Sequence, residues 1–499
     1  MLALAFSTAS CMDDDSFSQS SAHSLSISTD TLSLDTTFSA VPTPVKSFWV
    51  YNRSGKGLRI SNVRLQRGNQ TGFRVNVDGT YLGQQSGWQA SDIEVYDKDS
   101  IRVFVELTSP INGKDIPQIV EDYLLFTLES GVEQKVCLRA WSWDAEVIRN
   151  LRVSKDTTIA AGKPKIVYGG IVVDSLATLT LAEGVNLYFH NDAGIKVYGT
   201  LKAQGTASHP VVLRGDRLDR MFSYLPYDRV SGQWQGLTFA SSSYNNVLKH
   251  TDLHSSYNGI AIDSSDISIP KLDIVSSSIH NCQGFGISAN YANMKIENSV
   301  FSNTLGNCLQ IVGGKTIINN STLAQFYPFD ANRGQALYFE AGTGMDTLDC
   351  KNSILTGYAD DVVMRTVPDS TSLFAFGFDH CVMRTEKEST ADSLRFTNII
   401  YEATDDTTHF GKKHFAIIDE DNLYYDFSLD STSAAISAAD ANTATKSDIS
   451  DASRDSNPDA GAYEYIASEA DGTSSDNNKH NTNNSKHIYY YYERNRTSY

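Results

Sequence analysis

The chain has 499 residues, of which 41 are Lys or Arg and 59 are Asp or Glu, giving a formal net charge of −18. That balance argues against a nucleic-acid partner, because phosphate binding needs a basic surface, and acidity by itself identifies no other ligand. Hydrophobic residues at 40% are enough for a core, and beyond the first residues no stretch approaches the length of a membrane-spanning helix.

Met1 to Phe6 form a short apolar run, followed by Ser7-Thr8-Ala9-Ser10 and then Cys11. Small residues before a cysteine resemble a bacterial lipoprotein signal over residues 1–11. The resemblance implies that Cys11 is acylated and becomes the mature N-terminus. Met12-Asp13-Asp14-Asp15 resembles the acidic export signal that sends lipoproteins to the outer face of some Gram-negative bacteria. Both together imply an outer-membrane lipoprotein exposed on the cell surface. Residues 12–32, rich in Ser and Thr, read as a flexible tether.

Residues 33–145 carry short alternating runs separated by Gly and Asn. Among them are 47–51, 58–61, 73–77, 101–107 and 123–128. Runs spaced this way predict a β-sandwich. The stretch Val50 to Ser61 resembles the immunoglobulin-like modules appended to bacterial surface proteins, although no cysteine pair is present to join its sheets. Such a module spaces or attaches, and no chemistry is expected of it.

Further on, one phrase recurs six times: apolar, any, Asn-like, Ser-like, any, apolar. Its copies begin at Leu248, Ile274, Ile296, Ile318, Cys350 and Phe378, at steps of 26, 22, 22, 32 and 28 residues. That is the period of a solenoid coil with loop insertions. The apolar ends point inward, and the Asn-type residue at the corner tolerates a left-handed backbone. Stacked corners are expected to let Asn298 and Asn320 hydrogen-bond along the ladder. A third short run follows most copies, with Ile260, Ile287, Leu309, Leu337 and Val362 inside. Three strands per coil in a common register predict a parallel β-helix over residues 150–466.

The runs Leu179 to Gly205, Pro210 to Leu213 and Trp234 to Phe239 resemble the opening coils of right-handed parallel β-helix proteins of the pectate-lyase-like superfamily. Asn457 to Tyr465 is similar to the terminal strand common there. The fold class that follows is all-β: a right-handed parallel β-helix preceded by a small β-sandwich domain. Residues 467–499, without periodicity, read as a disordered tail. The resemblance implies architecture and leaves chemistry open, because the same fold hosts lyases, hydrolases, adhesins and passive scaffolds.

Set in this register, Cys282, Cys308, Cys350 and Cys381 fall at different coil positions, so stacked disulfides are not expected. No paired Cys or His has ligand spacing, so no metal is expected. His250, His254, His280 and His380 fall at corners or loop starts, where neutral hydrogen-bonding roles dominate. Asp252, Asp263 and Asp266 do not read as a cation cluster, because their side chains face opposite ways. One outward row passes through Tyr338; the next places Glu340 beside Arg365 on the following coil, near Asp361. That group reads either as a sugar or uronate site or as an ion pair on a solvated face. The insertion from Arg214 to Trp234 adds Arg217, Tyr224, Tyr227 and Trp234. It reads either as a glycan-recognition loop or as a loop tied down by ion pairs.

Signatures of the polygalacturonase and pectate-lyase types are mostly missing; of the former only Asp360-Asp361 is present. The reading is therefore a monomeric surface lipoprotein, held to the outer membrane by lipid, that binds a polysaccharide or glycoprotein surface without catalysis and without a cofactor. The alternatives are a polysaccharide lyase or glycoside hydrolase using Asp361, Glu340 and Arg365, with calcium only in the lyase case, or a structural spacer. The anchor makes a direct prediction. Globomycin-sensitive processing and outer-membrane fractionation should both be lost in Cys11→Ala; an Ala variant that still fractionates with the outer membrane overturns the lipoprotein reading.

Overall fold

A computed structural model describes residues 17–366, 373–402 and 411–467. The leader, Cys11 and, from 468 on, the expected tail lie outside them. The chain divides into two compact units, meeting in sequence at Ala145 and Glu146.

The first unit is a two-sheet β-sandwich. One sheet has five strands in the order Ser26–Ile27, Lys46–Tyr51, Ser100–Leu107, Phe73–Val77 and Thr80–Tyr81, all antiparallel. The other has Thr31–Phe38, Glu133–Trp143, Gln118–Leu128 and Leu58–Leu65 in sequence across the sheet, with Gln89–Ala90 and Ile93–Val95 on its edge. Alternation sends Val50, Val75, Val103 and Val105 from one sheet and Val63, Phe126 and Leu138 from the other into one dry core. Residues 17–32, expected as a free tether, belong to this unit instead. Phe17 bridges to Gly57, Ser26–Ile27 pairs with Lys46–Tyr51, and Leu25 is buried. The apolar residues interleaved among the Ser and Thr supply enough side chain for an edge strand to dock.

The second unit is a parallel β-helix built on one continuous sheet of 26 strands, from Glu146–Val153 to Ile400–Tyr401. From Thr178–Leu181 to Ile287–Asn290 each strand of the sheet pairs with the one three places on, which is the signature of three strands per coil. The first apolar position of the phrase stacks as Leu248, Ile274, Ile296, Ile318, Cys350 and Phe378 in register. The last stacks as Leu253, Ile279, Phe301, Leu323, Leu355 and Met383. All twelve are buried, each contributing on the order of 1.5–3 kcal/mol of hydrophobic stabilisation. The five described cysteines are free and buried; burial pushes the Cys282 and Cys308 thiols up to about 12.

Between these two rows the chain turns through a left-handed residue in every copy. His250, Ser276, Asn298, Asn320, Asn352 and His380 have φ between 40° and 51°. The hydroxyl that follows the corner knits coil to coil. The amides of Thr251, Ser277, Ser299 and Ser321 donate to the Oγ of Ser277, Ser299, Ser321 and Ser353 at 3.0–3.3 Å.

The corner asparagines behave differently from expectation. Asn298 and Asn320 do not bond to each other along the ladder. Their side chains hold a returning segment: Asn298 Nδ2 donates to Ser447 O at 2.8 Å, and Asn320 Oδ1 accepts from Thr445 N at 2.9 Å. Asn352 Oδ1 accepts from Asp440 N at 2.8 Å, while His250 Nε2 lies 3.3 Å from Asp451 Oδ1. Residues 440–451 thus run back along the corners from late coils to early ones. A peptide group in each rung needs a partner, and a flanking strap supplies more of them than a side-chain ladder can.

Among the described residues the last strand of the β-helix sheet is Ile400–Tyr401, short of the expected end at 466. Asn457 to Tyr465, expected as a terminal strand, contains no strand. Gly461, at φ 97°, passes so close to the coils that an added Cβ would come within 2.7 Å of Ile354 Cδ1. Asp459 and Glu464 collect backbone amides around it, and Glu464 takes an Arg454 guanidinium at 2.8 Å. Together with a hairpin of Phe415–Asp419 and Tyr424–Leu429, this segment packs Phe415, Phe427, Ala460 and Ala462 against Val300, Ala324, Phe326 and Ile354 of the coils.

Asn320 separates the two demands on a corner. Asn320→Gly keeps the left-handed turn but loses the strap, whereas Asn320→Ala loses both. The alanine variant should be destabilised by about 3 kcal/mol and the glycine variant by about 1 kcal/mol less. Urea midpoints that coincide for the two variants would show that the corner dihedral contributes nothing.

Candidate functional site

The insertion leaves the sheet after the strand Val211–Gly215 and returns at Leu237–Phe239. Within it Arg220–Phe222 pairs antiparallel with Leu225–Pro226, and Tyr227–Arg229 forms one 3-10 turn. Its sequence explains its stiffness. The Arg217 guanidinium donates twice to Asp219 at 2.7 Å and lies over the Tyr227 ring at 3.8 Å. Gln233 Nε2 donates to the carbonyl of Val230 at 2.7 Å. Arg229 reaches across to the Asn422 carbonyl and the Tyr424 ring, joining the insertion to the C-terminal hairpin.

Trp234, one of the expected ligand contacts, is fully buried. It stacks on Phe189 at 4.3 Å and 9°, and its Nε1 donates to His254 O at 2.8 Å. It anchors the loop and offers no face to a ligand. Tyr224 is different: its ring is about half exposed and stacks at 5.7 Å and 11° on the equally exposed Phe222.

The other expected group does not assemble. Val362 is buried in the core as expected, but the in-register partner of Leu337 is Val363, because Asp361 ties a turn there by accepting from Val363 N at 3.0 Å. A slip of one residue exchanges the two faces of everything after it. Tyr338 therefore sits beside Met364, and Glu340 beside Thr366. The Tyr338 hydroxyl donates to Glu340 at 2.7 Å, with Thr366 Oγ1 at 2.9 Å. Arg365, in register with Phe339, is held by Glu388 and Asp392. Asp361 also accepts from Thr385 Oγ1, which makes it a turn residue.

Beneath the insertion lies a charged floor that spacing rules passed over. The outward positions of neighbouring coils align Tyr188 with Arg214 and His254 with His280, and the two pairs lie on consecutive coils. The imidazoles stack at 4.8 Å and 20°, the separation of adjacent strands. His254 Nε2 lies 3.0 Å from Asp228 Oδ1, and its Nδ1 lies 3.0 Å from Asp252 Oδ1. His280 Nε2 approaches the same Asp252 oxygen at 3.1 Å. Arg214 pairs with Asp228 from the other side.

A carboxylate can only accept, so His254 donates from both nitrogens and is an imidazolium. Burial pushes His254 down, but Asp252 and Asp228 override it and hold it at about 9. Burial would likewise raise both carboxyls; Arg214 and His254 overcome it at Asp228, as His254 and His280 do at Asp252, and both stay below the usual carboxylate range. The expected neutral role thus fails at His254, whereas His250, lowered chiefly by burial, fits it. Asp263 and Asp266 take no part; Asp266 closes its own turn on Ser268. His254 is 3% exposed, yet Asp228, Asp252 and His280 keep 34%, 30% and 26% of their side-chain surface open. Asp252, His254 and His280 each present a metal-ligand atom within 4.8 Å of the others. The signal was present in the sequence as a histidine at matching positions of successive coils.

No family model matches the chain, and no curated protein does. Among solved structures it is similar to a family 123 glycoside hydrolase from Clostridium perfringens, studied for glycolipid glycan hydrolysis. The likeness has 8% identity and a TM-score of 0.17, and it spans 26% of each chain. So small a likeness supports no argument.

Asp228→Asn removes the carboxylate that Arg214 and His254 share, leaving two buried cations less compensated. It should destabilise the unit by about 3 kcal/mol and speed tryptic cleavage after Arg220 and Arg229. An unchanged melting temperature and cleavage rate would show that the network does not hold the insertion.

Proposed function

We propose that the protein is a cell-surface lipoprotein that binds glycans, without cleaving them, through the insertion of its β-helix. The observation that carries this reading is the exposed Phe222–Tyr224 stack on a loop braced by Arg217, Gln233 and Arg229. Two large rings left in water are unfavourable unless a partner covers them. Parallel rings offer the apolar plate that a pyranose face needs, and a loop already held in place loses little entropy on binding. Arg220, within the same hairpin, adds a donor for hydroxyl or carboxylate groups.

The catalytic alternative draws less support. Glu340, Asp361 and Arg365 are each engaged elsewhere, as described above. In the floor Asp228 and Asp252 are likewise engaged, by Arg214, His254 and His280. The finer assignments remain part of this proposal: a right-handed helix of the pectate-lyase-like superfamily, an immunoglobulin-like module before it, and display on the outer membrane through Cys11.

A panel of immobilised neutral and acidic polysaccharides tests the reading. The wild-type chain should retain at least one polymer, and the Phe222→Ala/Tyr224→Ala double variant should lose about 2 kcal/mol of that affinity, roughly thirtyfold. Binding unaffected by the double substitution, or no binding across the panel, removes the proposal. Release of new chain ends from any polymer would favour the enzyme instead.

A further inference from the structure

We propose that Asp252, His254 and His280 form a site for one divalent transition-metal ion of the zinc type. The inference rests on the outer row of the β-helix and is independent of the glycan reading of the insertion tip.

Three features carry it. The three residues offer one carboxylate oxygen and two imidazole nitrogens within 4.8 Å of one another. Donors around a tetrahedral zinc stand roughly 3.4 Å apart, so the widest pair closes by about 1.4 Å, within reach of a rotation of the partly exposed His280. Coil stacking holds the rings nearly parallel, and His254 Nδ1 and His280 Nε2 already converge on one Asp252 oxygen at 3.0 and 3.1 Å.

The second feature is the support behind the ligands. His254 Nε2 is fixed by Asp228, which Arg214 holds in turn. A carboxylate on the far nitrogen of a metal-bound imidazole fixes the ring and raises its basicity. On binding, the proton on His254 Nδ1 leaves to solvent while that on Nε2 stays directed at Asp228. His280 then carries its remaining proton on Nδ1.

Third, the ligands are reachable. Asp252 and His280 keep 30% and 26% of their side-chain surface open, so a bound ion has a face free for water or a ligand oxygen. Two nitrogens and one oxygen suit zinc, cobalt or nickel; calcium and magnesium want more oxygens than this site gathers.

The full-length chain without a histidine tag, stripped with EDTA and titrated with Co2+, tests the site. One equivalent should give saturable visible d–d absorption that Zn2+ abolishes. His280→Ala and Asp252→Asn should each weaken binding at least about tenfold with unchanged far-UV circular dichroism. Phe222→Ala/Tyr224→Ala should leave the titration unchanged, which separates this site from the glycan surface. Wild-type protein that gives no saturable absorption overturns the proposal, as do bands that survive both ligand substitutions.

Discussion

Every coil of the described repeat turns through one left-handed residue, and most of the second unit depends on that turn. It sets the angle between two flat strands, so that an apolar side chain before it and another after it both point inward. It also leaves the peptide groups at the corner without partners in their own coil. The hydroxyl beside the corner serves the neighbouring coil, and the returning segment serves the asparagines. A chain built this way gains stability by adding coils, because each new one buries the face of the last.

The return of residues 440–451 along those corners has a second effect. It brings Phe415, Phe427, Ala460 and Ala462 against an outer sheet face that a bare solenoid would leave to water. The insertion covers earlier coils, with Trp234 as its buried foot. Arg229 links insertion and hairpin, and the histidine row remains partly open. Charge is concentrated where cover is incomplete: an imidazolium between two carboxylates is stable there because each ion is compensated and solvent still reaches the rim.

Much of the fold was legible in the sequence. The six-copy phrase gave the inward rows residue by residue, since a period of two and a coil period leave little freedom. The sandwich strands were legible for the same reason. Where reading failed, the cause was local. Asp361 delayed a strand by one residue, which separated Glu340 from Arg365. The Ser-rich stretch before residue 33 hid Leu25 and an edge strand. The closing Asp459, Gly461 and Glu464 read as a strand because their motif was taken without the partners they serve.

The candidate site shows the division most clearly. Sequence by itself determined that His254 and His280 occupy equivalent outward positions, because coil register is set by apolar periodicity. Only the tertiary structure decided what that equivalence does. Asp228 arrives from an insertion whose path no periodicity describes, and Asp252 turns one oxygen toward both rings. The spacing rules for metal ligands count residues along one helix or loop. In a solenoid the relevant distance is one coil, so residues 26 positions apart stand about 4.8 Å from each other, and chemistry is assembled by stacking and not by sequence proximity.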